Sequence, residues 1–179
     1  FEPKRGRGHA RNRYVIEAKG SIIAMTDSDC IVSEDWIEKL TEPIISGEES
    51  VVMGFEQDII KNYWTRNIQK ANWNYIKQNL YGNYLNHVDT KNFAIRASLM
   101  KKMMFDSRLN NFEDFDLYMR LKRVAKIRFI PSIKVSHYHK TSFKKFIMNN
   151  FDRACWTKTI FDKHKKYHNM KKETMTQSV

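Results

Sequence analysis

An α/β fold with a mixed sheet is predicted for this 179-residue chain by three observations. Residues 21–26 form a near-continuous apolar run, the pattern of a strand covered on both faces. A helix-spaced stripe and a second apolar run at about 50–57 follow it. Strand, helix, strand is a crossover unit, so the sheet is at least partly parallel. Amphipathic stretches further on supply helices to flank it.

The bulk properties fit one domain with a real core. A hydrophobic content of 41% and an aromatic content of 13% exclude disorder. The formal charge of +12 predicts an anionic partner, whether nucleotide, nucleic acid or acidic membrane face. Cys30 and Cys155 lie far apart without metal-ligand spacing, which favours a reducing compartment over a disulfide framework. No apolar run approaches the ~20 residues of a membrane span. No secretory leader is recognised, and a start at Phe1 rather than Met is expected of a fragment.

Residues 1–13 are a basic, glycine-punctuated arm, suited either to solvent or to a phosphate, whose oxyanions match the planar fork of arginine. A helix is predicted from Ala10 to about Ala18, with Gly20 as its left-handed cap. The strand at 21–26 then stops on Asp27-Ser28-Asp29. Two carboxylates at a strand end are well placed to present a hard, oxygen-seeking cation to a phosphorylated ligand.

Ser33 is predicted to cap a helix whose first turn carries Glu34 and Asp35, favourable against the helix dipole. Trp36, Ile37, Leu40 and Ile44 form its stripe, Pro43 should kink or restart it, and Gly47 ends it. After the strand at 50–57, residues 62–81 form an aromatic-rich helix. Its two stripes, Trp64, Ile68, Ala71, Tyr75 and Trp73, Ile76, Leu80, suit core packing or an aromatic platform for an acceptor. A loop over 79–89, a strand over 91–96, a short helix over 97–104 and a loop over 105–111 complete the middle of the chain.

Glu113-Asp114-Phe115-Asp116 opens a helix to about Ala125. Three acids in one turn exceed what the dipole stabilises, and their mutual repulsion should raise at least one pKa, as a proton acceptor requires. Ordinary N-terminal acids of a helix are the alternative. Two short strands, 127–131 and 133–138, are expected on either side of Pro131. The second ends in His137-Tyr138-His139, where a histidine is structural or a ligand. Residues 142–163 form an amphipathic helix, and the lysine-rich tail to Lys172 suits solvent or an anionic surface.

Taken in order, these pieces resemble a known family. Ala10-Arg11-Asn12, Ala18-Lys19-Gly20, Asp27-Ser28-Asp29 with Trp36 and Leu40, and Asn92-Phe93-Ala94-Ile95-Arg96 come first. Phe105-Asp106, Glu113-Asp114-Phe115-Asp116-Leu117 with Arg120, Ile130-Pro131 and Val135-Ser136-His137 complete the series. Each piece alone is weak; the ordered series resembles glycosyltransferase family 2. The resemblance implies the Rossmann-like GT-A fold, a mixed, mostly parallel sheet flanked by helices. It also implies a GT-A portion over 1–140, an amphipathic helix and basic tail over 141–179, and an N-terminal nucleotide-binding half lying outside the chain.

It further implies sugar transfer from a nucleotide-diphospho-sugar, most commonly a UDP-sugar, to a hydroxyl on a glycan or lipid-linked acceptor. Inversion, a role in cell-surface polysaccharide or glycolipid synthesis, and Mg2+ or Mn2+ as cofactor come with it. On that resemblance Asp29 and Asp27 hold the cation, with Asp27 alternatively on ribose, and His137 completes the metal shell. Arg11 contacts the diphosphate, Asp114 is the general base, and Glu113 shares that role or orients the acceptor. Trp73 and Tyr75 would lie on the acceptor side. A cytoplasmic location, with contact to an anionic inner-membrane face, follows as an expectation. The competing classes are a basic nucleic-acid-binding module, for which no recognised motif is present, and a non-catalytic remnant of the transferase fold.

Overall fold

The computed structural model describes residues 2–138 and 143–165. The chain runs α1 (Arg7–Glu17), β1 (Ile22–Met25), β2 (Cys30–Val32), α2 (Trp36–Ile45), β3 (Val51–Asp58) and α3 (Tyr63–Asn79). It continues through β4 (Leu80–Tyr81), β5 (Tyr84–Leu85), a 3-10 turn (Thr90–Asn92), β6 (Phe93–Arg96), α4 (Ala97–Met103), α5 (Glu113–Leu121), β7 (Ile127–His137) and α6 (Phe143–Lys163).

One seven-stranded sheet, ordered β1-β6-β3-β7-β5-β4 with β2 also on β7, organises these elements. It is mixed, as expected. The long β3–β7 ladder is parallel, while β6 lies antiparallel between β1 and β3. β1, β3 and β7 therefore point the same way, and the parallel character shows in strand direction more than in adjacency.

Alternation along the strands divides the core between the two faces of the sheet. Val51, Met53, Phe93 and Ile95 pack with Val15, Met100, Leu117 and Leu121 from α1, α4 and α5. Val52, Ala94 and Val135 pack on the other face with Trp36, Leu40 and Ile44 of α2. Each fully buried Leu or Ile contributes about 1.5–3 kcal/mol relative to exposure.

Pro131 does not divide two strands. β7 runs unbroken from Ile127 to His137, and its register against β3 jumps from Gly54↔Ile130 to Phe55↔Lys134. Asn92 fills the resulting bulge. Its Nδ2 donates to the carbonyls of Ile133 (2.9 Å) and Phe55 (3.1 Å), and its Oδ1 accepts from the Trp36 indole at 2.9 Å. Gly54 admits the amide, because a Cβ there would collide with Asn92 Nδ2 and the Ile133 carbonyl.

Other local expectations shift for identifiable reasons. α1 begins at Arg7, and Ala18 turns out of it in extended conformation (ψ 124°), so Gly20 has no left-handed position to fill. The Ser33 hydroxyl is engaged by Asp35 Oδ1 at 2.7 Å, so α2 starts at Trp36 with Glu34 and Asp35 outside it. Pro43 is accommodated within α2, and Gly47 at φ +87° follows its end. The expected loop at 79–89 contains the β4–β5 hairpin.

α3 departs most. Asn62 and Thr65 form a reciprocal capping box at its start. Along the helix only Thr65 and Ile76 are buried, while Trp64, Trp73 and Tyr75 are exposed. Of the two stripes only Ile76 joins the core, and the exposed aromatics are not core packing.

α6 is tied to α5 by charge. Asp116, fully buried, receives Arg120 Nε at 2.9 Å, Lys163 Nζ at 2.6 Å and His164 Nε2 at 2.8 Å. Expectations for His139 and for the tail beyond Lys165 lie outside the described residues. Among the described residues no helix is long and apolar enough to cross a membrane, and both cysteines are free.

Candidate functional site

The docking of α1 fixes Arg11. Asn12 pairs reciprocally with the backbone of Phe105, donating to its carbonyl at 2.8 Å and accepting from its N–H at 2.7 Å. Gly8 is pressed against Ser107, where a Cβ would stand 2.8 Å from the Cα. With the helix so seated, Arg11 lies over the Phe105 ring, and its Nη1 is 2.7 Å from both Glu113 Oε1 and Asp114 Oδ1. Its Nη2 stands 4.0 Å from Asp27 Oδ1. One guanidinium therefore lies between Asp27 of the β1 turn and the start of α5.

The second half of the site is made by β2, a strand sequence reasoning missed. The turn after β1 is closed by Cys30 N–H donating to the Asp27 carbonyl at 3.1 Å. β2 then pairs with the end of β7 in the register Cys30↔His137, and Tyr138 N–H donates to the Asp29 carbonyl at 3.0 Å. This places His137 Nε2 3.5 Å from Asp29 Oδ1. Asp29 and His137, with Cys30, have ligand atoms within 4.8 Å of one another. Asp27 stands to the Arg11 side of that group.

Behind His137 lie groups that drew no notice in the sequence. Its Nδ1 is 2.6 Å from Glu56 Oε1 and 3.8 Å from Asp58 Oδ1, both at the end of β3. Lys91 Nζ bridges Glu56 Oε2 at 2.8 Å and Asp89 Oδ2 at 3.0 Å. The Asp58 and Glu56 carboxylates together push the His137 imidazole up to about 10, against its burial. The available signal was a strand ending in Glu56-x-Asp58, the same alternation as Asp27-x-Asp29.

Phe112 precedes α5 in the left-handed region (φ 62°), an uncommon conformation for a bulky residue. The turn it makes delivers Glu113 and Asp114 to Arg11. Glu113 is buried, whereas the Asp114 side chain keeps 28% of its surface exposed. Thr90 donates its hydroxyl toward both Asp114 oxygens at 3.3 and 3.4 Å. Desolvation pushes the Asp114 carboxyl up to about 7; Arg11 opposes the shift, and the Glu113 and Asp89 carboxylates add to it. Asp116, by contrast, is held ionised within the α5–α6 ion network and takes no part in the site.

The donor set suits a divalent cation. A half-exposed carboxylate, Asp29, faces Nε2 of an imidazole whose other nitrogen stands against a carboxylate. A cation held there would displace the Nε2 proton, and such oxygen and imidazole groups suit Mn2+, with Mg2+ favouring the oxygens. Trp73 and Tyr75 are set on α3: Trp73 meets Phe55 edge-on at 5.2 Å, and Tyr75 meets His87 at 5.0 Å.

The sequence pattern described as Glycosyl transferase family 2 matches residues 1–109, more than half of the chain. The chain belongs to glycosyltransferase family 2. The matched span carries Arg11, Asp27 and Asp29, while Glu113, Asp114 and His137 lie beyond it and reach the same site through the fold. No curated protein sequence matches this family 2 chain.

Solved structures share its GT-A fold. GalNAc-T7 with UDP, GalNAc and Mn2+ aligns with a TM-score of 0.59 at 16% identity, over 78% of this chain and 32% of that one. A mannosyltransferase from Pyrobaculum calidifontis with GDP-Man and Mn2+ aligns at 0.59 and 12% identity, over 78% and 38%. Glucosyl-3-phosphoglycerate synthase from Mycobacterium tuberculosis with Mn2+, UDP-glucose and phosphoglyceric acid aligns at 0.55 and 19%, over 80% and 50%. This chain thus spans about a third to a half of the length of these structures.

Proposed function

We propose that this chain carries the catalytic portion of a cation-dependent transferase that moves a sugar from a nucleotide-diphospho-sugar to an acceptor hydroxyl with inversion. The observation that carries the reading is the position of Arg11, 2.7 Å from Asp114 and 4.0 Å from Asp27. A carboxyl with a raised pKa and a guanidinium beside the aspartate turn support the roles of base and anion contact. These groups lie beyond the carboxyl end of β1, where open α/β sheets bind ligands.

Asp29 and His137 would hold Mn2+ or Mg2+, with Asp27 contributing to the cation or to ribose. A cation held by these residues would supply positive charge against that growing on the departing diphosphate. Arg11 offers its guanidinium fork to the same phosphates. Asp114 takes the proton from the acceptor hydroxyl at its carboxylate, so that the oxygen attacks the anomeric carbon opposite the leaving group. Glu113 holds Arg11 in place and shares the orientation of the acceptor.

Neighbouring structures that contain UDP, UDP-glucose or GDP-Man support a nucleotide-sugar donor, UDP-linked in our reading. The acceptor we assign is a glycan or lipid-linked hydroxyl in cell-surface polymer or glycolipid synthesis at the inner membrane face. The exposed aromatics of α3 suit such a ligand. Calorimetric titration of the chain with Mn2+, with and without UDP, tests the cation site. Binding that is lost in Asp29→Ala supports it; equal binding by that variant overturns it.

A further inference from the structure

Glu56 reaches the site through His137. It is 9% exposed at the end of β3, with Oε1 2.6 Å from His137 Nδ1 and Oε2 2.8 Å from Lys91 Nζ. The other nitrogen of the same ring, Nε2, faces Asp29 at 3.5 Å. A carboxylate set against one nitrogen of an imidazole favours the tautomer with the proton on that side and orients the ring, so the other nitrogen can give its lone pair to a cation that displaces its proton. A buried carboxylate is retained in its ionised form only with a countercharge, which Lys91 supplies while itself held by Asp89 at 3.0 Å.

We propose that Glu56 is the positioning residue of the cation site. It holds the Nδ1 proton of His137 and so aims Nε2 at Asp29, with Lys91 fixing Glu56 in turn. The inference rests on the reading of Asp29 and His137 as the cation-holding pair. Glu56, Asp58 and His137 also lie within 4.8 Å of one another. The Lys91 ammonium already supplies positive charge there, so these groups act as support behind the ligand and not as a second metal site. The same short turn carries Thr90 against Asp114, so the supports of cation ligand and base are consecutive residues.

The test is Mn2+ binding to the chain followed by electron paramagnetic resonance, which reads both affinity and the nitrogen modulation of a coordinated imidazole. Wild type should show that modulation and His137→Ala should lack it. Glu56→Leu should lose the modulation and bind Mn2+ about 10–100-fold more weakly, the usual effect of removing such a partner. Glu56→Gln, whose amide oxygen still accepts the Nδ1 proton, should restore the modulation.

Circular dichroism establishes that each variant is folded. Should Glu56→Leu fail to fold, Lys91→Met carries the test, with weakened binding expected and wild-type binding overturning the role. A folded Glu56→Leu with wild-type affinity and modulation overturns the inference while leaving the cation site standing. Wild type without Mn2+ binding overturns both.

Discussion

Arg11 Nη1 stands 2.7 Å from Asp114 Oδ1, across 103 residues of chain. That bond restrains a carboxyl that its surroundings have pushed up to about 7. Only the deprotonated form accepts a proton, so transfer should rise with pH through about 7, giving an acid limb in kcat/KM.

Stability moves the other way. A carboxyl whose folded pKa is raised contributes stability that is fully present below its unfolded value near 3.8, and that contribution is lost as pH rises through about 7. Asp114→Asn should therefore abolish transfer across the pH range, yet melt higher than wild type at pH 8. Near-wild-type turnover in that variant would remove Asp114 from the base role.

Arg11→Met should shift the same limb upward. The guanidinium lowers the Asp114 pKa, so its loss leaves burial and the neighbouring carboxylates unopposed. A pH–rate profile measures the shift; a limb that stays put or moves down contradicts the assignment.

At the bulge of β7, Asn92 satisfies two carbonyls and an indole N–H in space opened by Gly54. Asn92→Ala leaves these partners buried and should cost about 3 kcal/mol or more, since each unsatisfied group costs roughly 1–3 kcal/mol. Gly54→Ala should destabilise by collision with the same amide. The double variant should cost less than the sum of the two, because removing the amide removes part of the collision. Denaturant melts of the four proteins measure that coupling.

Asp116→Ala should release the end of α6. Arg120, Lys163 and His164 converge on that carboxylate, and removing one partner of a buried ion network costs about 3–5 kcal/mol. Hydrogen exchange should rise first at Ile160 and its neighbours in α6, while Mn2+ binding at Asp29 is retained. Uniform exchange throughout the chain would refute a local role.

The sequence alone determined the local half of this protein. A strand ending in Asp27-x-Asp29 and a helix opening on Glu113-Asp114 are legible because each needs only a few consecutive residues and the period of one element. The fold class follows from the same periodicities. Tertiary structure decided which of those groups meet. β2 pairs with β7 across more than a hundred residues, and that register alone sets His137 beside Asp29. The β3–β7 ladder brings Glu56 and Asp58 behind it, although both look like ordinary polar ends of a strand. Asn12 and Gly8 seat α1 so that Arg11 lies between the Asp27 turn and α5. Ladder register and helix docking depend on contacts far apart in the chain, and no local pattern encodes them.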